Sequence, residues 1–594
     1  MQTELLPSWN LDDLFSGMDD PGIEETLKRE LLRAKEFAAE FKGRINSPSL
    51  TAEQLLCAVK TYENIAQESD KPLEYASLLF AADTSIPERG AFMQRMQERT
   101  SEIAIELIFF ELELLALPED QVKRLLLDPV LSGYSHYIKA ARLFSPHRLT
   151  EPEEKILEET ANTGRRAFTR LFEETVSNAA FSVDIKGETK EMNLQSLLAL
   201  QREPDRDVRK ASAESLTKGL LANARTLTFI FNTLLQDKAT TDRLRRYTYP
   251  EESRHLSNEL DRETVELVVG TAVDYYPIVR RYYNLKRKIL GYDGLCHYDR
   301  YAPLFELKER VPFSHAKEIV LDSFHKFSPE MSDAAGKFFE GRWIDAEVRP
   351  GKRGGAFCSY ATPDLHPYVL VNYLHRTDDV MTLAHELGHG VHAYVARDKS
   401  YLNFSSVLPV AELASTFGEM LVFESLQKEA GREEKLALYA EKIEGAFATI
   451  FRQAAMYRFE QGIHERRRST GELTTEDFSA IWQSRQQEMF GSSLTLGDEH
   501  RFWWMYVSHF TNSPFYVYAY TFGELLVMAL YAMYKKEGAP FAEKYVSMLK
   551  TGGSLSPADM LSTVGIDVHD PKFWQGGLEF LSGFIGEFET LCNS

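Results

Sequence analysis

The stretch His385-Glu386-Leu387-Gly388-His389-Gly390-Val391-His392 opens with the pattern H-E-x-x-H. Successive residues of an α-helix turn by about 100°, so His385 and His389 would lie about 40° apart on one face, where both imidazoles can bind one metal ion. Glu386 would face the open coordination position, beside the water that a zinc ion activates. The stretch therefore predicts a zinc-binding helix with a carboxylate placed as a general base, and it indicates a metallohydrolase.

The residues before this stretch predict a strand and the start of the helix. The run Tyr368–Tyr373 is rich in β-branched and aromatic residues, which is typical of a strand. Thr377-Asp378-Asp379 offers an N-cap, so the zinc helix is expected near 378–396. Because only about a dozen residues separate the strand from the H-E-x-x-H pattern, we expect a small β-sheet beside this helix.

The third metal ligand has to come from outside the zinc helix. The extended pattern H-E-x-x-H-x-x-G-x-x-H is absent, because His392 and Val395 stand where it needs glycine and histidine. A second helix is expected near 410–425, and Glu412 in its first turn is the predicted third ligand. Glu419 would lie on the same helix face, either as an acceptor that orients a ligand histidine or as a surface glutamate. His392 is expected to pack or hydrogen-bond near the site.

Composition narrows the class of protein and its location. The chain has 594 residues and a formal charge of −21 at pH 7, which argues against binding to nucleic acid or to an anionic membrane. Four cysteines without a C-x-x-C pair favour a reducing compartment, and Cys358 is either a redox-sensitive thiol or a buried structural cysteine. Because the N-terminal residues lack the features of a secretory signal, we expect a cytoplasmic protein. The sequence makes no prediction of the oligomeric state.

The apolar pattern along the chain predicts two large regions. From Ile23 to about Phe172 apolar residues recur three and four positions apart, which predicts an N-terminal helical lobe over residues 1–180. Phe181–Ile185 alternates apolar and polar residues and predicts one strand of a small hairpin. Residues 181–594 are assigned to a catalytic domain that carries the zinc helix.

Together these residues resemble the M3 family of zinc peptidases, and within it the oligoendopeptidase F branch. The matching segments are the zinc motif, Val410-Ala411-Glu412-Leu413-Ala414-Ser415, the glycine-rich Gly351-Lys352-Arg353-Gly354-Gly355-Ala356-Phe357, and His509 through Gly523. The zinc motif alone occurs in many families, whereas this combination is specific.

The resemblance implies a fold, a cofactor and a set of functional residues. The fold would be mainly α, with two helical lobes of the zincin type that enclose a deep central channel, and a small β-sheet beside the active-site helix. One zinc ion per chain would be bound by His385, His389 and Glu412, with Glu386 as the general base. The sheet would hold the peptide by strand addition, on an edge supplied by Val369–Tyr373 or by the Gly354-Gly355-Ala356 segment.

The resemblance also implies a histidine and tyrosines that bind the substrate carbonyl and the developing oxyanion. The corresponding residues here are His509, Tyr516 and Tyr520, with the two tyrosines four residues apart on one helix face. The family's Gly-Gly-Tyr is replaced by Ser513-Pro514-Phe515-Tyr516, so the tyrosine assignment is open by a few positions. Tyr518, on the other face, is expected in the core.

The sequence thus predicts a zinc oligoendopeptidase that hydrolyses internal bonds of short unstructured peptides with a water activated by Glu386. One alternative is a zinc carboxypeptidase with a similar helical fold. Another is a non-catalytic peptide-binding helical protein that retains the motif. The expected partners are short peptides, with no nucleic acid and no membrane.

Overall fold

Helices make up most of the chain in this computed structural model, which describes residues 4–305 and 310–593. The helices begin where capping residues and prolines satisfy or remove the first free amides. The first helix shows how: Asp20 accepts a hydrogen bond from the Gly22 amide at 2.8 Å, and Pro21 occupies the first turn. Its buried face, which includes Ile23, Leu27 and Ala34, follows the predicted spacing of three and four residues.

The helices up to residue 305 are α1 (Pro21–Phe41), α2 (Ala52–Ala82), α3 (Pro87–Ala116), α4 (Glu119–Leu126), α5 (Ser135–Arg142), α6 (Glu151–Ala161), α7 (Arg165–Ser177), α8 (Leu194–Ala199), α9 (Arg206–Ala222), α10 (Ala224–Arg245), α11 (Glu252–Ser257), α12 (Arg262–Asp274) and α13 (Tyr276–Leu290).

The helices after residue 310 are α14 (Phe313–Phe327), α15 (Pro329–Glu340), α16 (Thr377–Ala396), α17 (Leu408–Ala411), α18 (Leu413–Glu429), α19 (Arg432–Thr449), α20 (Phe451–Thr470), α21 (Thr475–Phe490), α22 (His509–Asn512), α23 (Tyr518–Glu537), α24 (Ala539–Leu549), α25 (Pro557–Ser562) and α26 (Pro571–Asn593). Short 3-10 helices occupy Pro129–Tyr134, Ser145–His147, Leu200–Arg202, His297–Asp299, Tyr401–Asn403 and His500–Tyr506.

Two small sheets accompany the helices. Strands β1 (Phe181–Ile185) and β2 (Glu188–Met192) form the antiparallel hairpin. Strands β3 (Ile344–Asp345), β4 (Phe357–Ser359) and β5 (Tyr368–Leu370) form a sheet in the order β3-β5-β4. β5 pairs on both sides, so Val369 and Leu370 cannot accept a further strand, and the expectation that Val369–Tyr373 supplies an open edge is wrong for these two residues. β4, which directly follows the Gly354-Gly355-Ala356 segment, is the edge strand on that side.

A buried lysine ties the glycine-rich segment to this sheet. The ammonium of Lys352 donates to Asp345 Oδ1 and to the Val371 carbonyl, each at 2.7 Å, and its side chain is fully buried. On the same side, the amide of Asn372 donates to the carbonyls of Arg353 (3.0 Å) and Gly355 (2.8 Å). These contacts hold the segment that leads into β4, and β4 and β5 both pack against α16.

The chain folds into two compact units that each combine distant segments. Unit 1 contains the described residues within 1–145, 308–429 and 533–567, and unit 2 those within 146–307, 430–532 and 568–594. The mainly α fold with a small sheet beside the helix of the H-E-x-x-H motif, α16, is confirmed. The division of the chain at residue 180 stays a prediction, since the units are not continuous in sequence.

Across residues 4–305 and 310–593, no helix combines the length and the apolar character that crossing a bilayer requires.

Two buried histidines of unit 2 predict an acid-sensitive fold. His255 is 1% and His297 5% exposed, and burial lowers the pKa of each to about 4 from 6.5. Their neutral forms stabilise the fold above pH 6.5, and this contribution is lost as the pH falls from 6.5 toward 4. Each histidine should therefore lower the free energy of unfolding by about 1.4 kcal/mol per pH unit in that window.

Urea unfolding at pH 7.5, 6 and 5 measures this loss. His297→Gln is the matched variant, because a glutamine oxygen can replace Nδ1 as the acceptor for the Gly497 amide. The stability of the variant should fall less steeply with acid than that of the wild type. Equal slopes would contradict the assignment of a buried neutral imidazole.

Candidate metal centre

Helix α16, which carries the zinc motif, starts at an acidic first turn. The carboxylate of Asp379 reaches back to accept hydrogen bonds from the amides of Leu374 and Arg376, both at 2.8 Å. Asp378 and Asp379 also place negative charge at the positive end of the helix dipole. The helix therefore begins at Thr377, one residue before the expected range, and ends at Ala396 as expected.

The side chains of His385, His389 and Glu412 converge in unit 1. The Nε2 atoms of the two histidines both lie 3.2 Å from Glu412 Oε2, and the two imidazole centroids are 4.9 Å apart. One nitrogen or oxygen atom from each residue lies within 4.8 Å of the others, a spacing that suits a single metal ion. Among residues 4–305 and 310–593, no other set of three histidine, cysteine or acidic side chains meets this condition.

Glu412 occupies a break between two helices. The predicted helix near 410–425 is divided there, with α17 ending at Ala411 and α18 beginning at Leu413. The Ser415 hydroxyl donates to Glu412 Oε2 at 2.8 Å and orients the carboxylate. Burial acts to raise the pKa of Glu412, but the hydrogen bonds from His385 and His389 outweigh it and hold the pKa well below its usual range. Glu412 is therefore ionised at neutral pH.

Glu419 contacts the first histidine of the motif. The Nδ1–H of His385 donates to Glu419 Oε1 at 2.5 Å, which leaves Nε2 facing Glu412. Burial opposes a charge on His385, yet the hydrogen bonds to Glu412 and Glu419 raise its pKa to about 10. Of the two predicted roles for Glu419, the orienting contact is the one present. The negative charges of Glu412 and Glu419 favour a proton on His385, and the same charges would favour a divalent cation bound next to it.

A close crossing of α16 and α18 makes this convergence possible. A β-carbon at Gly388 would lie 2.4 Å from the Ala414 carbonyl oxygen and 2.6 Å from Ser415 Cα. A β-carbon at Gly418 would lie 3.1 Å from the Ala384 carbonyl oxygen. Since backbone atoms cannot rotate away, glycine at position 388 lets α18 approach closely enough for Glu412 and Glu419 to reach the histidines.

Glu386 is buried beside this cluster. Its residue is 6% exposed, and burial raises the pKa of its carboxyl although the neighbouring His385 and His389 act to lower it. The pKa of Glu386 is raised and that of Glu412 is lowered, so Glu386 is the carboxyl that binds a proton more readily.

Cys358 and Tyr360 approach the site from β4. Burial, together with the charge of Glu386, raises the pKa of the Cys358 thiol well above its usual range, which disfavours the redox-sensitive alternative. The ring of Tyr360 lies 6.4 Å from that of His389. Burial and nearby negative charges raise its pKa, so it remains a neutral phenol. The sequence analysis missed Tyr360; its position directly after an edge strand next to the glycine-rich segment is the signal that could have identified it.

His392 is outside the convergent set. It is 2% exposed, burial lowers its pKa to about 4, and neither ring nitrogen has a hydrogen-bond partner among the described residues. It therefore packs behind the site as a neutral ring, in line with the expectation that it is not a ligand.

The predicted carbonyl-binding residues form their own cluster in unit 2. The ring centroids of Tyr516 and Tyr520 are 5.1 Å apart, and the Tyr520 hydroxyl lies 3.5 Å from His509 Nε2. Tyr516 precedes α23, so the two tyrosines do not share a helix face as predicted, although their rings meet. Tyr518 is 1% exposed and its hydroxyl accepts a hydrogen bond from Asn258 at 2.8 Å, which agrees with its expected core position.

Comparisons with known proteins assign the chain to a family. The model of peptidase family M3 matches residues 199–580, and the oligopeptidase F model matches residues 113–181. Oligopeptidase PepF of Bacillus subtilis is 26% identical over 98% of this chain and 87% of its own length. Group B oligopeptidase PepB of Streptococcus agalactiae is 26% identical over 98% of this chain and 96% of its own.

Solved structures share the fold. A crystal structure from Chlamydophila abortus superposes with a TM-score of 0.86 at 24% identity and covers 98% of each chain. The oligoendopeptidase-F structure from Enterococcus faecium gives a TM-score of 0.72 at 21% identity over 97% of this chain and all of its own.

The chain belongs to peptidase family M3. It is a metalloendopeptidase, and the predicted resemblance to the oligoendopeptidase F branch is confirmed.

The helix crossing predicts that Gly388→Ala disrupts the centre. The added methyl group overlaps backbone atoms of α18, so the helices must separate and carry Glu412 away from the histidines. We expect a loss of about 1–3 kcal/mol in the free energy of unfolding, together with loss of bound metal. Urea unfolding and elemental analysis after dialysis measure both quantities.

Gly336→Ala on α15 is the matched control, since nothing lies within 4 Å of the added methyl group. That variant should match or exceed the wild type in stability by up to about 1 kcal/mol and retain its metal. A Gly388→Ala protein with normal metal content would contradict the argument from the crossing.

Proposed function

We propose that this protein is a zinc-dependent oligoendopeptidase that hydrolyses internal bonds of short unstructured peptides. The observation that carries the proposal is the convergence of His385, His389 and Glu412, with Glu419 behind His385 and Glu386 beside the cluster. Two imidazole nitrogens and one carboxylate form a donor set that suits catalytic zinc. A zinc ion bound by these residues would polarise the substrate carbonyl and lower the pKa of water.

Glu386 supplies the proton transfers. Its raised pKa brings the carboxyl closer to the working pH, where an acid–base catalyst is most effective. Glu386 accepts a proton from the attacking water and then passes it to the nitrogen of the scissile bond. The C–N bond breaks, and the two products are a carboxylic acid and a neutral amine.

From the resemblance in sequence, we assign to Tyr516, Tyr520 and His509 the stabilisation of the oxyanion that forms when the carbonyl is attacked. A phenol hydroxyl can donate a hydrogen bond to an oxyanion, and burial together with Arg452 lowers the pKa of His509, which favours its neutral ring. A donor that meets the oxyanion only in the transition state contributes to kcat rather than to substrate binding, and its removal costs about 10²–10³-fold in rate.

The edge strand β4 supports an extended peptide as the substrate. Its outer edge is unpaired within the β3-β5-β4 sheet, and an extended chain can add there through main-chain hydrogen bonds that do not depend on sequence. Relatives named oligopeptidase and oligoendopeptidase F agree with short peptides as substrates. The four free cysteines agree with a cytoplasmic enzyme.

The test is peptide hydrolysis with a substrate set of graded length, in free and C-terminally amidated forms, with mass spectrometry of the products. We expect internal cleavage of short peptides in both forms, abolished by a chelator and restored by Zn²⁺. Cleavage that needs a free carboxylate would instead establish a carboxypeptidase.

In the same assay Glu386→Gln should retain zinc and lose about 10²–10⁴-fold or more in kcat, while His385→Ala should lose both zinc and activity.

His315→Ala on α14 is the control for His385→Ala, because this histidine is exposed and should leave both activity and zinc unchanged. An active Glu386→Gln enzyme, purified free of host peptidases, would refute the proposed proton transfers.

The contact between Glu419 and His385 predicts a second effect on metal binding. Glu419→Gln removes the negative charge that orients the imidazole and increases its basicity, so zinc affinity should fall about 10–100-fold. Competition with a chromogenic chelator measures the affinity. Restoration of most of the activity by excess Zn²⁺ is expected, and an unchanged affinity would show that Glu419 does not support the ligand.

A further inference from the structure

The residue before Tyr516 adopts an unusual backbone conformation. Phe515 has φ = +58°, in the left-handed region that a β-carbon disfavours, and its side chain is fully buried. Such a conformation persists only where surrounding contacts hold it, and it is found preferentially at functional sites. The contacts that hold Phe515 are therefore relevant to where Tyr516 is placed.

Helix α20 holds Phe515 through a buried carboxyl group. Glu460, which is 1% exposed, accepts a hydrogen bond from the Phe515 amide at 2.8 Å. The Phe515 ring packs against His464 and Tyr457 of the same helix, with centroid distances of 4.7 and 6.1 Å. One helix thus binds both the amide and the ring of the strained residue.

Further contacts fix the residues on either side. The Arg254 guanidinium donates to the Pro514 carbonyl at 3.4 Å and lies 5.9 Å from the centre of the Tyr516 ring. The Tyr516 amide donates to the Ser513 carbonyl at 3.0 Å and closes the turn. Residues 513–516 therefore form a turn whose middle is anchored by Glu460.

We propose that Glu460 is a positioning residue for peptide hydrolysis: its carboxyl holds Phe515 in the left-handed conformation that places Tyr516 beside Tyr520 and His509. This inference rests on the proposed function, in which these three residues stabilise the oxyanion. Glu460 acts through the turn and touches neither substrate nor metal ligands.

The surroundings of Glu460 favour a neutral acid as the acceptor. Glu251, Arg254 and Lys238 are the charged groups that act on it, and His464 lies on its own helix. Burial raises the pKa of Glu460 to about 8, although the hydrogen bond from Phe515 acts to lower it. Burial therefore favours the protonated form of the carboxyl whose oxygen accepts from the Phe515 amide. A glutamine oxygen can take the same place, whereas methionine has the size but no comparable acceptor.

The test compares kcat, KM, zinc content and urea unfolding for Glu460→Met, Glu460→Gln, Tyr516→Phe and the double variant Glu460→Met/Tyr516→Phe, with an internally quenched peptide at pH 7. Glu460→Met should lower kcat about tenfold with KM changed less than about threefold, because the oxyanion contact exists only in the transition state. Glu460→Gln should stay within about threefold of the wild type. The double variant should be no slower than Tyr516→Phe, since both changes remove the same contribution.

Glu251→Met is the matched control. Glu251 is a buried carboxyl of the same region, 2% exposed, and burial raises its pKa as well. This variant should lose stability comparably to Glu460→Met and retain kcat. If Glu460→Met does not fold, Glu460→Asp takes its place. Its carboxyl is one methylene shorter and reaches the Phe515 amide less well, so kcat should fall in Glu460→Asp and be retained in Glu460→Gln.

Three results would overturn the inference: wild-type kcat in Glu460→Met or in Tyr516→Phe, a kcat in Glu460→Gln as low as in Glu460→Met, or losses that multiply in the double variant. In each case chelator-sensitive cleavage by the wild type leaves the proposed peptidase function standing. A folded, zinc-loaded wild type that cleaves no peptide would refute the proposed function itself.

Discussion

The close crossing of α16 and α18 is the contact on which the metal centre depends. Because residue 388 lacks a side chain, the backbone of α18 approaches α16 at the level of the motif itself. One crossing therefore brings Glu412 to the Nε2 atoms and Glu419 to the Nδ1 atom of the first histidine. A metal site assembled from two helices needs this approach, since a glutamate side chain spans only a few ångströms.

The local electrostatic surroundings shift the pKa values of the two glutamate carboxyls, Glu412 and Glu386, in opposite directions. Glu412 accepts hydrogen bonds from two imidazoles and stays ionised, which is the state in which a carboxylate can bind a metal ion. Burial raises the pKa of Glu386. The charges of His385 and His389 oppose this shift, and those of Glu412 and Glu419 add to it. The negative surroundings of His385 favour whichever cation is present, a proton or a divalent metal.

Unit 2 carries a second cluster, which consists of the phenol rings of Tyr516 and Tyr520 and the imidazole of His509. There the determining feature is a strained turn rather than a helix crossing. Phe515 is held in a left-handed conformation by a buried carboxyl and by aromatic packing on α20. Strain of this kind costs on the order of 1–3 kcal/mol, which the packing of unit 2 offsets.

The local features of this protein follow from its amino-acid sequence alone. The two histidines and the glutamate of the motif share one helix within five residues, so periodicity alone predicts their faces, and the same periodicity predicts a mainly helical fold. Glu412 was predicted as a ligand because it lies in the first turn of the helix expected after the motif, among small and apolar residues. The tertiary structure was needed to place β5 between two strands, to bring Tyr360 near His389, to choose the contact that Glu419 makes and to bring Glu460 to the Phe515 amide. These depend on pairings between residues distant in the chain, and a one-dimensional pattern does not specify which distant surfaces meet.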